Sequence, residues 1–146
     1  MHGRHVKIVG KANPDALRSV ERVQSLVETM IDRLGMRLLD KTHMYEVEEE
    51  IAKLGCEPFE DEGGVTGIGV LSTSHCAIHT WPLRSHFVMD VYSCRDFDVA
   101  DAVRTIEELV GAYAMRVSDL TFSLEPLSDD EGDGQAAADP TVALPA

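Results

Sequence analysis

The chain contains the stretch Ser72-Thr73-Ser74-His75-Cys76-Ala77-Ile78-His79-Thr80-Trp81-Pro82. It holds two serines, two histidines, a cysteine and the single tryptophan of the protein. The apolar run 68–71 leads into the stretch, and the apolar run 87–94 follows it. This pattern predicts two antiparallel strands joined by a turn at residues 81–85. A segment that served packing alone would not need so many nucleophilic and titratable side chains, so we expect a reactive site here.

The register of these two strands places a thiol beside the centre of the stretch. If the turn centres between Leu83 and Arg84, Cys94 lies opposite Thr73 and close to the Thr73–Ser74 bond. His79 lies five residues further along the extended chain. We therefore expect a bend in the strand that brings His79 to the same bond.

The segment before the stretch, Gly63-Gly64-Val65-Thr66-Gly67-Ile68-Gly69-Val70-Leu71, contains four glycines in its first seven residues. It is not a phosphate-binding loop, because no helix follows a G-x-G-x-x-G pattern and no Gly-Lys-Ser/Thr is present. It predicts a strand whose glycines allow close approach or bulges beside a reactive centre.

The other strands are predicted from alternating or apolar segments, at residues 5–10, 36–45 and 114–124. Residues 46–54 have a helix-forming composition with apolar residues at helical spacing. We interpret residues 47–62 as an insertion or a divergent loop between two strands.

Two amphipathic helices are predicted. Asn13 and Pro14 begin the first, which Gly35 ends, and Asp98 begins the second, which Gly111 ends. The expected fold class is α+β: a two-layer α/β sandwich, with an antiparallel sheet and two main helices on one face. The other face of the sheet would need cover, which suggests a homodimer.

The composition favours one globular domain. The chain has 146 residues, of which 44% are hydrophobic and 5% aromatic. The formal charge of −13 argues against nucleic-acid binding. No apolar run is long enough for a membrane span, and the first residues lack an apolar signal segment, which predicts a cytoplasmic protein. We expect one domain over residues 1–124, followed by a disordered acidic tail over residues 125–146.

The pattern Ser-His-x-x-Ile-His-Thr-Trp-Pro at residues 74–82 resembles the small prokaryotic form of the S-adenosylmethionine decarboxylase proenzymes. In that family the pattern follows a Gly-rich strand, and a strand that ends in Cys, here Cys94, comes after it. The resemblance extends more loosely over residues 3–123. Two positions depart from the family, because Thr73 and Leu83 each stand where Glu is usual.

The resemblance implies self-cleavage between Thr73 and Ser74. The Ser74 hydroxyl would attack the preceding carbonyl, and elimination would leave a pyruvoyl group derived from Ser74 as cofactor. In these steps Ser74 is the nucleophile, His79 the base for its α-proton, and Thr66 the hydroxyl that assists processing. Cys94 is the acid that protonates the decarboxylated product. The pyruvoyl ketone would form a Schiff base with a small amino-acid-type substrate and withdraw electrons from it.

The implied function is S-adenosylmethionine decarboxylase, which supplies the aminopropyl donor for spermidine biosynthesis. Leu83 cannot accept hydrogen bonds from ribose hydroxyls, so ornithine or arginine is an alternative substrate. A non-processing paralogue that acts as a binding protein is another alternative. A zinc site built from His75 and His79, with Cys76, His86 and Cys94 nearby, is a weaker hypothesis. Residues 75 and 79 lie too far apart on a strand to chelate without a bend, and we predict no metal.

Overall fold

The computed structural model describes residues 3–48, 50–54 and 57–123. Its centre is a six-stranded antiparallel sheet, in the strand order β2-β5-β6-β7-β1-β8. The strands of this sheet are β1 (Arg4–Lys11), β2 (His43–Val47), β5 (Gly64–Leu71), β6 (Ser74–Trp81), β7 (His86–Ser93) and β8 (Ala114–Asp119). The short strands β3 (Glu50–Leu54) and β4 (Glu57–Asp61) pair with each other as a separate two-stranded sheet.

The helices α1 (Pro14–Arg18), α2 (Val20–Arg33) and α3 (Val99–Val110) supply the second layer. The side chain of Asn13 accepts a hydrogen bond from the backbone N–H of Asp15 and caps α1 as expected. The single first helix predicted from sequence is wrong, because Ser19 takes an extended conformation between α1 and α2. Its hydroxyl oxygen then accepts from Arg22 N–H and caps α2.

The core lies between the helices and one face of the sheet. Alternate strand residues point into it, and α2 and α3 contribute their apolar stripes. The strand residues buried there include Val6, Ile8, Cys76, Ile78, Phe87, Met89 and Val91, and the helix residues include Val23, Leu26, Val27, Met30, Ile31 and Ile106. The two-layer α+β fold expected from sequence, with an antiparallel sheet and helices on one side, is confirmed.

The glycine-rich strand β5 brings the helix layer close to the sheet. A Cβ built on Gly69 would lie 2.6 Å from Ile31 Cδ1 of α2, and one built on Gly64 would lie 2.0 Å from the carbonyl oxygen of Thr80. Gly64 also has a φ of +144°, which side chains rarely allow. The glycines therefore serve close packing beside the stretch, as the sequence suggested.

Three predicted elements differ from the structure. Residues 46–54 are not a helix, and residues 47–62 are not simply a loop, because strands β3 and β4 form a hairpin within them. The pairing of segment 50–54 with β4 overrides its helical propensity. The strand predicted over residues 36–45 is confined to β2, with only an isolated bridge from Leu38 to Leu71 before it.

The last strand, β8, ends at Asp119 and not at Leu124. The predicted tail at residues 125–146 lies outside the described residues, so its disorder stays a prediction. No helix in the described part of the chain combines the length and the apolarity needed to cross a bilayer.

One face of the six-stranded sheet carries no helix. Exposed apolar side chains lie on this open face, among them Ile68 and Val70 of β5. Polar residues interrupt them, including His79 of β6 and Lys7 of β1. The open face therefore carries both apolar and polar side chains.

Candidate active site

The Thr73–Ser74 bond lies at a tight turn between β5 and β6. Leu71 pairs with Ser74, so only Ser72 and Thr73 connect the two strands. Thr73 has a φ of +52°, and its hydroxyl donates a 2.8 Å hydrogen bond to the Ser72 carbonyl. A left-handed backbone at a β-branched residue costs about 1–3 kcal/mol. The bond implied as the cleavage site therefore joins a strained residue to a serine.

Ser74 and Cys94 lie together, as the sequence predicted. The register of β6 and β7 pairs His75 with Tyr92, and its continuation sets Cys94 opposite Thr73. The backbone N–H of Cys94 donates a 2.9 Å hydrogen bond to the hydroxyl oxygen of Ser74. The Cys94 sulfur lies 3.9 Å from the carbonyl oxygen of Ser72.

The thiol of Cys94 lies close to the hydroxyl groups of Thr73 and Ser74. Hydrogen bonding with Thr73 and Ser74, aided by the charge of Arg95, holds the pKa of the Cys94 thiol below its ordinary value. The other described cysteine, Cys76, is fully buried, and burial raises its pKa to about 12. Of these two, Cys94 is the one suited to proton transfer or nucleophilic chemistry.

A cavity of about 400 Å³ opens beside Ser74 and Cys94. It lies where the end of α2 meets the tips of β5, β6 and β7, and Leu71 forms part of its wall. Arg37, Arg95 and Asp96 also line it, and the carboxylate of Asp96 is already paired with Arg4. The two arginines could meet a negatively charged group of a small molecule there.

Thr66 and His79 form a second pair. They lie directly opposite each other on β5 and β6, and Thr66 Oγ1 is 3.1 Å from His79 Nδ1. The His79 ring also contacts the ring of Trp81, at a centroid distance of 6.3 Å. This pair lies on the open face of the sheet.

The bend expected between Ser74 and His79 is absent, because β6 is a continuous strand from Ser74 to Trp81. Five residues of extended strand separate the two residues by about 16 Å. By alternation, Ser74 shares the helix-covered face with buried Cys76, whereas His79 is exposed on the other face. The structure thus brings together Ser74 with Cys94, and Thr66 with His79, but one protomer does not bring these two pairs together.

A third cluster was missed from the sequence. His5 of β1 and His75 of β6 both hydrogen-bond to the carboxylate of Asp90 on β7, which lies between them. The predicted hairpin of β6 and β7 could have placed His75 near Asp90, but only the pairing of β1 with β7 adds His5 to the cluster. Among the described residues, this is the one group of three whose atoms could hold a metal ion, within 4.8 Å of one another.

The zinc site considered from sequence is not assembled. His75 is engaged with Asp90, and Cys76 points into the core beneath the sheet. His86 lies against Trp81, at the opposite end of β7 from Cys94. The prediction that the protein holds no metal stays a prediction.

Comparisons with known proteins agree on one family. A family model described as S-adenosylmethionine decarboxylase matches residues 8–121. An S-adenosylmethionine decarboxylase proenzyme of Carboxydothermus hydrogenoformans is 32% identical over 116 residues, which cover 77% of this chain and 80% of the relative. The proenzyme of Pseudomonas paraeruginosa is 40% identical over 62 residues, or 42% of this chain. That match spans only 39% of the Pseudomonas protein.

A solved structure shares the fold. The crystal structure of the adenosylmethionine decarboxylase from Aquifex aeolicus matches with a TM-score of 0.63. The match covers 92% of this chain and 98% of that one, at 22% sequence identity. The likeness at this identity concerns the arrangement of the strands and helices.

Proposed function

Because the chain belongs to the S-adenosylmethionine decarboxylase family, we propose that it is a pyruvoyl-dependent decarboxylase that cleaves itself between Thr73 and Ser74. The observation that carries this proposal is the contact between Ser74 and Cys94 at a strained turn. The preferred substrate is S-adenosylmethionine, in the pathway that leads to spermidine. We further propose that the enzyme works in the cytoplasm.

Self-cleavage begins at the hydroxyl of Ser74. Its oxygen attacks the carbonyl carbon of Thr73, the C–N bond breaks, and an ester replaces the peptide bond. The left-handed backbone of Thr73 favours this step, because breaking the bond releases the strain. Elimination then removes the α-proton of Ser74 and breaks its Cβ–Oγ bond, so the hydroxyl oxygen departs with the new carboxylate of Thr73. Hydrolysis of the remaining enamine releases ammonia and leaves the pyruvoyl group.

The residues around Ser74 fit this group. The pyruvoyl ketone, once formed, supplies an electron sink for loss of carboxylate from an amine substrate. Cys94 already contacts the position of residue 74 and is the proton donor to the product. Arg37 and Arg95 line the cavity and give the substrate's negatively charged groups nearby partners.

His79 needs a second protomer to act at Ser74. We propose a homodimer in which the open sheet faces meet, because exposed apolar residues such as Ile68 and Val70 lie there. We place the two-fold axis of this dimer near Ala77, halfway along β6. His79 and Thr66 of one protomer would then lie toward the Ser74 end of the partner's β6. Thr66 would orient the imidazole through their 3.1 Å contact, and His79 would take the α-proton.

The environment of Leu83 bears on the substrate. Leu83 is 62% exposed and lines a cavity of about 250 Å³ with Arg18, Glu46, Glu48 and Glu62, and both oxygens of Glu62 already accept from Arg84. Glu46 and Glu48 offer acceptors for ribose hydroxyls that Leu83 itself lacks, which supports S-adenosylmethionine where the partner protomer brings this end of β6 toward Ser74. The same two carboxylates would suit the cationic side chain of ornithine or arginine, which is the second candidate.

The decisive experiment is intact-mass analysis of purified protein, followed by carbon dioxide release assays with S-adenosylmethionine, ornithine and arginine. We expect chains of residues 1–73 and 74–146, the second carrying a pyruvoyl group. The control is Ser74→Ala, which should stay whole and inert. A single intact parental chain after long incubation would support the non-processing paralogue and overturn the proposal.

A further inference from the structure

The cluster of His5, His75 and Asp90 has a defined place in the sheet. His5 of β1 and His75 of β6 are both paired with Tyr92, from the two sides of β7. Asp90 lies two residues before Tyr92 on β7, so its side chain shares the open face with both histidines. The carboxylate therefore sits between three neighbouring strands and can join them.

The hydrogen bonds of the cluster use both oxygens of Asp90. His5 Nε2 lies 2.9 Å from Oδ1 and 3.1 Å from Oδ2, and His75 Nε2 lies 2.7 Å from Oδ2. An ionised carboxylate only accepts hydrogen bonds, so both imidazoles donate. The exposed fractions of the three side chains are 22% for His5, 40% for His75 and 32% for Asp90. Charge-assisted bonds at partly buried sites are stronger than those between neutral groups.

His75 is the residue that would carry the cofactor. In the proposed cleavage, residue 74 becomes a chain terminus, joined to the rest of the protein through the amide nitrogen of His75. The turn through Thr73 then no longer connects residue 74 to β5. The hydroxyl oxygen that accepts the Cys94 N–H bond has also left with Thr73. New chain ends fray unless they are anchored.

We infer that Asp90 is a positioning residue that holds His75, and through it the pyruvoyl group, next to Cys94 after cleavage. This inference rests on the proposed self-cleavage. His75 and residue 74 share one peptide unit, so fixing the His75 ring limits rotation of the strand end. His5 lies within hydrogen-bond distance of both oxygens of Asp90 and keeps the carboxylate from turning away from His75.

The test is hydrogen–deuterium exchange of the segment 74–78 in the cleaved and the uncleaved protein. The variants are Asp90→Asn and His75→Ala, each made in the parent and in the uncleavable Ser74→Ala background. The matched control is Glu108→Gln, which breaks an exposed ion pair with Arg33 on the helix layer. Chain masses are recorded first, so that cleavage is known for every sample.

We expect both variants to cleave, and their cleaved forms to exchange in segment 74–78 at least about tenfold faster than the cleaved parent. In the Ser74→Ala background the same changes should have a much smaller effect, since the turn still anchors the strand. The cleaved variants should also lose kcat more than they raise KM. Glu108→Gln should match the parent throughout.

Equal acceleration in both backgrounds would show a merely structural role and overturn the inference, as would parental exchange in cleaved Asp90→Asn. Stoichiometric zinc in the purified protein, lost in Asp90→Asn, would also overturn it, because the imidazoles would then bind metal. An uncleaved parent overturns the proposed function, and this inference with it, before any variant is compared. The two failures are therefore distinguishable.

Discussion

The hydroxyl of Thr66 and the Nδ1 atom of His79 lie 3.1 Å apart across β5 and β6, on the sheet face opposite to the helices. Ser74 lies about 16 Å away along the same strand. A base at His79 therefore reaches a Ser74 α-proton only between two protomers. This relationship leads to a direct prediction about the proposed homodimer.

Co-expression of a Ser74→Ala chain with a His79→Ala chain should restore cleavage. In the mixed dimer, one site has the intact serine of the His79→Ala chain together with the partner's His79. We expect each variant alone to remain uncleaved or to stall as an ester, and the mixture to yield cleaved His79→Ala chains. Differently tagged chains and intact-mass analysis provide the measurement. Absence of cleavage in isolated mixed dimers would contradict a base supplied by the partner.

Cys94→Ala should separate processing from turnover. The chain should still cleave, at least in part, because the acyl shift uses only the Ser74 hydroxyl. Carbon dioxide release should fall by about a hundredfold or more, since the product lacks its proton donor. Cys76→Ala is the control, because that thiol is buried away from the cavity. Parental turnover by Cys94→Ala would show that another group is the acid.

The two described cysteines should differ in reactivity with iodoacetamide. In the uncleaved chain, where Thr73 and Ser74 contact the thiol, the lowered pKa of Cys94 gives more thiolate near pH 8 than an ordinary cysteine has, whereas the pKa of Cys76 is raised to about 12. Peptide-level mass spectrometry at short times should therefore find label on Cys94 and none on Cys76. The same measurement reports the labelling of Cys56 on a separate peptide. Cys56 lies outside the described residues. Equal labelling of Cys76 in folded protein would contradict its burial.

Gly64 should tolerate no side chain. In Gly64→Ala the new Cβ would meet the Thr80 carbonyl oxygen at 2.0 Å, and the residue has a positive φ. Gly35 also has a positive φ, but nothing lies within 4 Å of its Cβ position. We expect Gly35→Ala to lower the free energy of unfolding by about 1–2 kcal/mol, from the backbone conformation alone. Gly64→Ala should lower the free energy of unfolding by clearly more. Denaturant unfolding checks this, and equal losses would contradict the close approach.

The sequence predicts the parts of this fold that depend on local patterns. The alternation in β6 and β7 and the turn after Trp81 are sufficient for the hairpin and its register, and hence for the contact of Ser74 with Cys94. The hairpin of β3 and β4 was missed, because its apolar residues also fit helical spacing. The bend expected before His79 is wrong, because β6 runs as one continuous strand from Ser74 to Trp81. The Asp90 cluster depends on the pairing of β1 with β7, which no local pattern reveals.

The contribution of Asp90 to stability should depend on pH. Burial opposes its ionisation, but the hydrogen bonds from His75 and His5 outweigh burial and lower the pKa of its carboxyl below the ordinary value. A carboxyl with a lowered folded-state pKa stabilises the protein above its unfolded-state pKa, and the stabilisation is lost as the pH falls through the folded-state pKa. The melting temperature of the parent should therefore exceed that of Asp90→Asn from pH 7 to about pH 5.

Below about pH 4 this difference should shrink, because protonated Asp90 resembles the amide of the variant. Differential scanning calorimetry of both proteins from pH 7 to pH 3 measures it. Both proteins should carry Ser74→Ala, so that cleavage does not alter the comparison. Glu108→Gln in the same background is the control, since its exposed ion pair with Arg33 should contribute little at any pH. A difference that stays constant down to pH 3, or grows, would show that the carboxylate of Asp90 is not held by His5 and His75.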